Sequence, residues 1–258
     1  MKVTMLGCGP SQGVPVIGDR WGNCDASNPK NRRSRPSIVV EDGNTKILVD
    51  MSPDIRDQLL SNKISKIDAI LFTHLHYDHV AGLGELRTLS FLAKRRLEVF
   101  GTASVLKGLE RGAGYLFHSQ KSDDKNLYKP SAEAREIRYG AGFNAQGVQV
   151  LPFCQDHGVC ESAGFRFGKF AYSTDVVVLN ETAFAALEGI EVWIVDCLRD
   201  DPHPTHAHFE RTLQWIDRVK PKRAILTHMN FEVDYAKMLA RCPKGVEPGY
   251  DGMILDID

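Results

Sequence analysis

The stretch Thr73-His74-Leu75-His76-Tyr77-Asp78-His79 places three imidazoles and a carboxylate within six residues. It follows the apolar residues 69–72, which predict a strand, and precedes a helical pattern that begins near Val80. A cluster this polar does not suit a core, because buried polar groups need partners. Neutral imidazole and carboxylate together suit zinc, manganese or iron. Six residues at the end of a strand cannot all turn toward one ion, so the pattern favours two adjacent ions.

Four further polar residues each follow an apolar segment that predicts a strand. They are Asp50, His157, Asp175 and His228. A lone residue of this kind more often caps a turn or makes a hydrogen bond. Strand ends at one edge of a sheet, however, gather side chains from distant sequence positions. Taken together with residues 74–79, the set supplies the number and types of ligand that a metal site needs.

The order of the predicted elements indicates sheets covered by helices. We predict strands at residues 3–6, 37–41, 46–50, 69–73, 97–100, 148–153, 164–172, 192–195 and 223–227. We predict helices at residues 53–60, 83–92, 103–110, 181–187, 209–219 and 233–241. This order favours a layered α/β (α+β) fold, and we expect residues 1–258 to form a single domain. The polar residues 119–136 are predicted to form a surface loop.

The charge balance limits the classes of partner. The chain has 32 Lys and Arg against 33 Asp and Glu, a formal net charge of −1, which disfavours whole-surface binding to nucleic acid. No apolar run approaches the roughly 18–20 residues that span a bilayer, and the start is too short for a secretory signal. We expect a cytoplasmic protein with reduced cysteines and no membrane contact. The sequence leaves the oligomeric state open and is compatible with a homodimer.

The HxHxDH motif at residues 74–79, together with His157, Asp175 and His228, resembles the metallo-β-lactamase superfamily. This resemblance implies a four-layer αββα sandwich with two metal ions at one edge and hydrolytic chemistry. It implies that one ion is held by His74, His76 and His157, the other by Asp78, His79 and His228, and that Asp175 bridges both. Asp50 would orient a ligand histidine. Asp175 argues against the lactamases proper, and His76 in place of Glu argues against the flavo-diiron branch.

Two ions of this kind would turn water into a hydroxide nucleophile at neutral pH, with Asp78 among the catalytic residues. The leaving group then needs a proton from a histidine outside the metal shell. His203, His206 and His208 follow the strand predicted at 192–195. We predict that Thr205 caps a helix beginning near His206, which would direct His206 toward the metal edge. We expect the other two histidines to face solvent or to be structural.

The amino-terminal region suggests a phosphate site. Ser11 and Gln12 lie in a glycine-rich loop, and Arg32 and Arg33 could clamp a phosphate, since guanidinium pairs bidentately with it. Together with the metal motif, five further segments resemble the phosphoribosyl cyclic phosphodiesterase branch of this superfamily. The enzyme of that branch opens a cyclic phosphodiester on ribose. The five segments are Gly13-Val14-Pro15, Arg32-Arg33, Asp196-Cys197, Thr205-His206 and Gly249-Tyr250-Asp251-Gly252-Met253.

One departure from that branch concerns a cluster of three cysteines that helps to hold a structural zinc. Only Cys24 remains in the matching residues 19–24, so we expect no structural zinc here. This departure also weakens the substrate assignment, because the loop borders the site.

The leading hypothesis is a phosphodiesterase with two divalent ions, Zn²⁺ or Mn²⁺ with iron as a third choice, that acts on a small ribose phosphodiester or nucleotide. A thioesterase or glyoxalase-II-like hydrolase would not need the arginines. A tRNA 3′-end nuclease shares HxHxDH, but the near-zero net charge and the absence of a basic arm disfavour it. A metal-binding protein without turnover is disfavoured by Asp175 and His206.

Overall fold

Two seven-stranded sheets pack face to face in the computed structural model, which describes residues 1–119 and 129–258. The strands of the first sheet are β1 (Lys2–Gly7), β2 (Ser37–Asp42), β3 (Thr45–Val49), β4 (Ala69–Leu71), β5 (Leu97–Gly101), β6 (Ala132–Glu136) and β14 (Ile254–Asp256). Those of the second are β7 (Phe143–Ala145), β8 (Val148–Asp156), β9 (Glu161–Phe167), β10 (Phe170–Ser173), β11 (Val192–Asp196), β12 (Arg223–Thr227) and β13 (Val246–Pro248). Their orders are β14-β1-β2-β3-β4-β5-β6 and β13-β12-β11-β10-β9-β8-β7.

Helices contact the strands of both sheets. They are α1 (Ile55–Ser61), α2 (Tyr77–Val80), α3 (Leu86–Ala93), α4 (Ala103–Phe117), α5 (Glu181–Leu187), α6 (Phe209–Val219) and α7 (Tyr235–Arg241). Helices α1, α3 and α4 contact strands of the first sheet, whereas α5 and α7 contact strands of the second. Two 3₁₀ helices span Pro29–Asn31 and Ala81–Glu85.

The alternation of side chains along the strands of the first sheet creates two apolar layers. Ile47 and Val49 of β3 point into the core between the sheets, whereas Leu48 points into the core shared with α1, α3 and α4. Strands buried on both faces read as continuous apolar runs, as this one does. The result is a four-layer αββα sandwich in one domain, which confirms the layered fold predicted from the order of elements and the sandwich that the resemblance implied.

Parallel strands in each sheet bring their carboxyl ends to one edge. Strands β3, β4 and β5 are parallel, and so are β10, β11 and β12. The chain leaves β3, β10 and β12 through Asp50, Asp175 and His228, whose φ angles are 64°, 55° and 61°. Left-handed backbone is uncommon for residues other than glycine, and it turns each side chain at the point where the strand ends.

The predicted elements agree with the structure over most of the chain, with helices 181–187 and 209–219 matching α5 and α6 residue for residue. The single strand predicted at 164–172 is wrong, because a turn with Gly168 at φ 56° divides it into β9 and β10. The loop predicted at 119–136 is wrong at its end, where Ala132–Glu136 pairs with β5 as β6. Residues 120–128 of that loop lie outside the described residues.

Among the residues that the structure describes, none of the helices combines the length and the apolar character needed to cross a membrane.

Candidate metal centre

The side chain of Asp175 lies at the middle of the candidate site and presents one carboxylate oxygen to each of two groups of residues. Its Oδ1 lies 3.8 Å from His74 Nε2 and 3.5 Å from His157 Nε2. Its Oδ2 lies 3.1 Å from His79 Nε2 and 3.4 Å from His228 Nε2. Thr174 Oγ1 donates a hydrogen bond of 2.7 Å to the same Oδ2, which fixes the carboxylate plane. The two oxygens therefore face two separate groups of candidate metal ligands, which we call the first and second ligand sets.

The first ligand set combines two histidines of the HxHxDH motif with His157 from the turn between β8 and β9. With Asp175, the side chains of His74, His76 and His157 offer ligand atoms that all lie within 4.8 Å of one another. His76 Nδ1 lies 3.2 Å from His157 Nε2. His76 is the least buried member of the set, so this half of the site is the more exposed one.

The second ligand set combines the end of the motif with His228 from the end of β12. Asp78, His79, Asp175 and His228 again place their ligand atoms within 4.8 Å of one another. Asp78 Oδ2 lies 3.4 Å from His79 Nε2 and 3.6 Å from His228 Nε2. The four side chains are buried, so this half of the site is the deeper one.

Hydrogen bonds from outside the two sets orient the histidines. His79 Nδ1 donates to Asp50 Oδ2 at 2.6 Å, and Asp50 also accepts hydrogen bonds from the backbone N–H and the hydroxyl of Thr73. His157 Nδ1 donates to the carbonyl of Thr205 at 2.7 Å. Each bond uses Nδ1, so the Nε2 atom faces the other candidate ligands, as a metal-binding histidine requires.

The buried donor atoms of the site are those that a cation would satisfy. The Nε2 atoms of His74, His79 and His228 are buried and have no hydrogen-bond partner. Buried polar atoms without partners are costly and need an explanation. Nitrogen and carboxylate ligands in this combination suit divalent zinc, manganese or iron. The residues present therefore fit a divalent metal site.

The pKa shifts of His74 and His79 also fit a site for divalent metal. Burial lowers the pKa of His74 well below its ordinary value, which keeps the ring in the neutral form that binds metals. Burial also opposes a charge on His79, but the carboxylates of Asp175, Asp50 and Asp78 outweigh it and raise the pKa of His79 well above its ordinary value. The carboxylates thus create a strong demand for positive charge at the centre of the site.

A family model described as a beta-lactamase superfamily domain matches residues 45–229. This span covers most of the chain and includes both ligand sets. The chain belongs to the metallo-β-lactamase superfamily. The fold of that superfamily implies binding of divalent metal.

The proteins that are similar to this chain carry names that describe different activities. A solved structure described as a new diphosphatase from the PhnP family is 30% identical with a TM-score of 0.89, and the match covers 100% of this chain and 98% of that one. The octanoyltransferase of Porphyromonas gingivalis is 30% identical over 263 residues, which cover 100% of this chain and 52% of that protein. Ribonuclease Z of Methanopyrus kandleri is 32% identical over 134 residues, which cover 51% of this chain and 43% of that enzyme. The chain thus spans about half the length of these curated relatives.

His206 lies beside both ligand sets of this metallo-β-lactamase site without belonging to either of the two Asp175-centred groups. Its Nε2 lies 3.9 Å from Asp175 Oδ1, and its Nδ1 donates to Asp196 Oδ2 at 3.1 Å. Burial opposes a charge on the ring, but Asp196 outweighs it and, with Asp175 and Asp78, raises the pKa of His206 to about 9. Asp196 thus favours the protonated form of His206, whose Nε2 faces the centre of the site.

The predicted position of His206 at the start of a helix is wrong, as is the predicted cap at Thr205. Helix α6 begins at Phe209 with His208 as its N-cap residue. Residues before the helix are held in extended form, because Leu198 N–H donates to the carbonyl of Ala207 and Phe209 N–H to that of Arg199. His206 reaches the site from this extended segment. His203, which was predicted to be structural or to face solvent, accepts a hydrogen bond from Thr205 N–H.

The residues that were predicted to bind phosphate fall into two groups, one buried and one exposed. The prediction for Arg33 is wrong, because its side chain is 1% exposed and donates to the carbonyl of Asn230 and to Asn31 Oδ1. Arg32 is exposed, and Ser11 and Gln12 form an exposed turn, so these three remain accessible to a ligand.

Asp196 is the functional residue that the site prediction omitted. It ends β11 and is completely buried, and its Oδ2 also accepts the backbone N–H of Val176, which follows Asp175. The sequence carried the signal, since Asp196 ends an apolar strand just as Asp50 follows one. One carboxylate thus connects the central aspartate to His206.

Proposed function

We propose that this chain is a phosphodiesterase that uses two divalent ions to hydrolyse a small ribose-containing phosphodiester. The observation that carries the proposal is the position of Asp175, which offers one oxygen to each ligand set while His206 faces it from outside. The similarity to a diphosphatase over the whole chain supports a substrate that is cleaved at a phosphoryl group.

The residues that would hold the two ions are His74, His76 and His157 for one, and Asp78, His79 and His228 for the other, with Asp175 shared. Zinc and manganese are the first candidates, and iron also accepts these ligands. Bound ions would supply Lewis-acid stabilisation of charge on phosphoryl oxygens and would lower the pKa of water from about 15.7 to about 7.

His206 would supply the proton that the leaving alkoxide needs. Asp196 holds His206 Nδ1, so the proton on Nε2 is the one directed toward the site. A positioned proton donor of this kind contributes about 10²–10⁴-fold to a rate. Arg32, Ser11 and Gln12 are the candidates for contact with the remainder of the substrate, and Asp78 combines a ligand role with a place beside the reacting phosphate.

The experiment measures metal content and hydrolysis of bis(p-nitrophenyl) phosphate after loading with zinc or manganese. We expect about two metals per wild-type chain. We expect Asp175→Ala to lose metal and activity, and His206→Ala to keep its metal and lose about 10²-fold or more in kcat. His118→Ala, an exposed histidine on another surface, is the matched control and should behave as wild type. Metal binding without cleavage of any phosphodiester would contradict the proposal and direct the assay to thioesters.

A ribonuclease of the tRNA 3′-end type is the second candidate, because ribonuclease Z relatives match about half of the chain. Cleavage of precursor tRNA at rates above those of small diesters, with binding that falls steeply as salt rises, would favour it. Selective cleavage of small ribose diesters favours the first proposal.

A further inference from the structure

The loop at residues 16–28 lies against the segment that follows the ligand His228. Asn23 N–H donates to the carbonyl of Phe231 at 2.9 Å. Cys24 Sγ donates to the carbonyls of Phe231 and Val233, each at 3.3 Å. Gly22 has φ 58°, and a side chain there would collide with Phe231. The loop is therefore tied to residues that begin three positions after a metal ligand.

This tie holds the loop against the segment that leads away from His228. Consecutive Cα atoms are about 3.8 Å apart, so the Cα of Phe231 lies within roughly 11 Å of that of His228. Trp21 is two residues from Asn23, which bonds directly to Phe231. A substrate whose phosphate sits on the two ligand sets would extend past this loop if its remaining part points toward His228.

The outer surface of the loop carries a partly exposed indole with a guanidinium over its ring. Arg32 Cζ lies 5.2 Å from the ring centroid of Trp21. Trp21 Nε1 donates to Asp19 Oδ1 at 2.8 Å, which fixes the ring orientation. The neighbours of Arg32 are anchored, since Asn31 Nδ2 donates to Asp234 and Arg33 to the carbonyl of Asn230. Neither Trp21 nor its contact with Arg32 is explained by the metal chemistry.

We infer that Trp21 and Arg32 form a stacking subsite for the nucleobase of the substrate. Bases stack on indole rings and on guanidinium planes, and this stacking tolerates different bases because every base has a π face. The cation adds attraction for the adjacent phosphate. The inference rests on the proposed phosphodiesterase function and narrows its substrate to a nucleoside phosphodiester.

A binding experiment tests the subsite without depending on hydrolysis. Trp193 and Trp215 are buried, so Trp21 is the most accessible of the three tryptophans. The metal-loaded protein is titrated with adenosine 5′-monophosphate and, separately, with ribose 5-phosphate while tryptophan emission is recorded. We expect saturable quenching by the nucleotide, none by the sugar phosphate, and loss of the quenching in Trp21→Phe. Equal quenching of wild type and Trp21→Phe would overturn the inference.

A kinetic experiment compares two substrates that differ only in the base. Adenosine 2′,3′-cyclic phosphate carries it, and 1-O-methylribose 2,3-cyclic phosphate does not. We expect Trp21→Ala to raise KM for the first about tenfold, with kcat little changed, and to leave KM for the second within about twofold. Trp21→Phe should restore most of the affinity. Phe91→Ala, at an exposed aromatic on α3, is the control and should change neither KM.

The two failures are distinguishable. If the wild type cleaves neither cyclic phosphate nor any other diester, the proposed function fails, and the fluorescence titration still decides whether the subsite binds a base. If the wild type cleaves both substrates and Trp21→Ala raises both KM values equally or neither, the function stands and the subsite is wrong.

Discussion

Asp196 uses a single oxygen to hold two groups that the proposed reaction needs. Its Oδ2 accepts the N–H of Val176 at 2.9 Å and that of His206 Nδ1 at 3.1 Å. Replacement by Asn keeps the shape but removes the charge that stabilises a protonated His206. We expect Asp196→Asn to lower kcat for bis(p-nitrophenyl) phosphate about tenfold to a hundredfold, with metal content and KM near wild type.

The double variant Asp196→Asn/His206→Ala tests whether Asp196 acts on the reaction through His206. If Asp196 acts through His206, Asp196→Asn should have little further effect in the His206→Ala background, because residues that act as a unit are not additive. Equal effects in both backgrounds would show that Asp196 acts by another route.

Asp251 is a partly buried carboxylate that joins the tail of the chain to its amino-terminal region. It accepts hydrogen bonds from Cys8 N–H and from the N–H and hydroxyl of Ser34. Burial is the main reason that its pKa rises from 3.8 to about 6, and these hydrogen bonds offset part of the effect. The folded protein thus binds this proton more tightly than the unfolded chain does.

The raised pKa of Asp251 has a definite consequence for stability. The stabilising contribution is complete below about pH 4 and is lost as pH rises through about 6, for a total of about 3 kcal/mol. Asp251→Asn cannot titrate. We expect the free energy of unfolding of wild type, minus that of Asp251→Asn, to fall by up to that amount between pH 4 and 7 in urea titrations. A difference that stays constant or rises over this range would contradict the assignment.

At the scale of elements, helix α2, which contains Asp78 and His79, and the 3₁₀ helix after it pack closely against the loop that carries Asp50. Met51 N–H donates to the carbonyl of His79, and Gly82 N–H donates to that of Met51, each at 2.8 Å. A Cβ at Gly82 would collide with the carbonyl of Ser52 and with Ile55. This close approach keeps Asp50 on the ring of His79.

Two glycines in the same 3₁₀ helix provide a matched test of that contact. We expect Gly82→Ala to lower the free energy of unfolding by about 1–3 kcal/mol and to reduce bound metal, because the Asp50 loop must move away. A Cβ at Gly84 would meet no atom within 4 Å, so Gly84→Ala should change stability by less than about 1 kcal/mol and keep its metal. Urea unfolding and metal content check both; equal behaviour of the two variants would show that the contact is unimportant.

Elements could be predicted where their sequence pattern is local, and not where they depend on distant residues. Helix α6 has an apolar face at helical spacing, and its bounds were predicted correctly. The extended segment before it depends on hydrogen bonds to Leu198 and Arg199, which no local pattern reveals. Arg33 was misassigned for a similar reason, since its partner Asn230 lies 197 residues away.

At the scale of the whole molecule, the candidate ligands come from both sheets. The motif His74–His79 follows β4 of the first sheet, whereas His157, Asp175 and His228 follow strands of the second. The strand-end pattern identified these residues as candidates, but their division into two sets came from the resemblance to the superfamily. Sequence does not display the left-handed backbone at Asp175 and His228 that turns these side chains inward.

A site built from two sheets couples metal binding to the stability of the sandwich. The buried carboxylates of Asp50, Asp78 and Asp175 all contact the ring of His79. Each ion would bind residues from both sheets. A ligand at a thousand times its Kd stabilises the folded state by about 4 kcal/mol, which is roughly 10 °C in Tm for a chain of this size.

We therefore expect stripping with a chelator to lower Tm by about that much and addition of zinc or manganese to restore it. Asp175→Asn should show a much smaller shift, whereas Asp217→Asn, at an exposed position on α6, should show the wild-type shift. An unchanged Tm after verified loss of metal would mean that the sheets hold their arrangement without the ions and that the protonated ring of His79 satisfies the buried carboxylates instead.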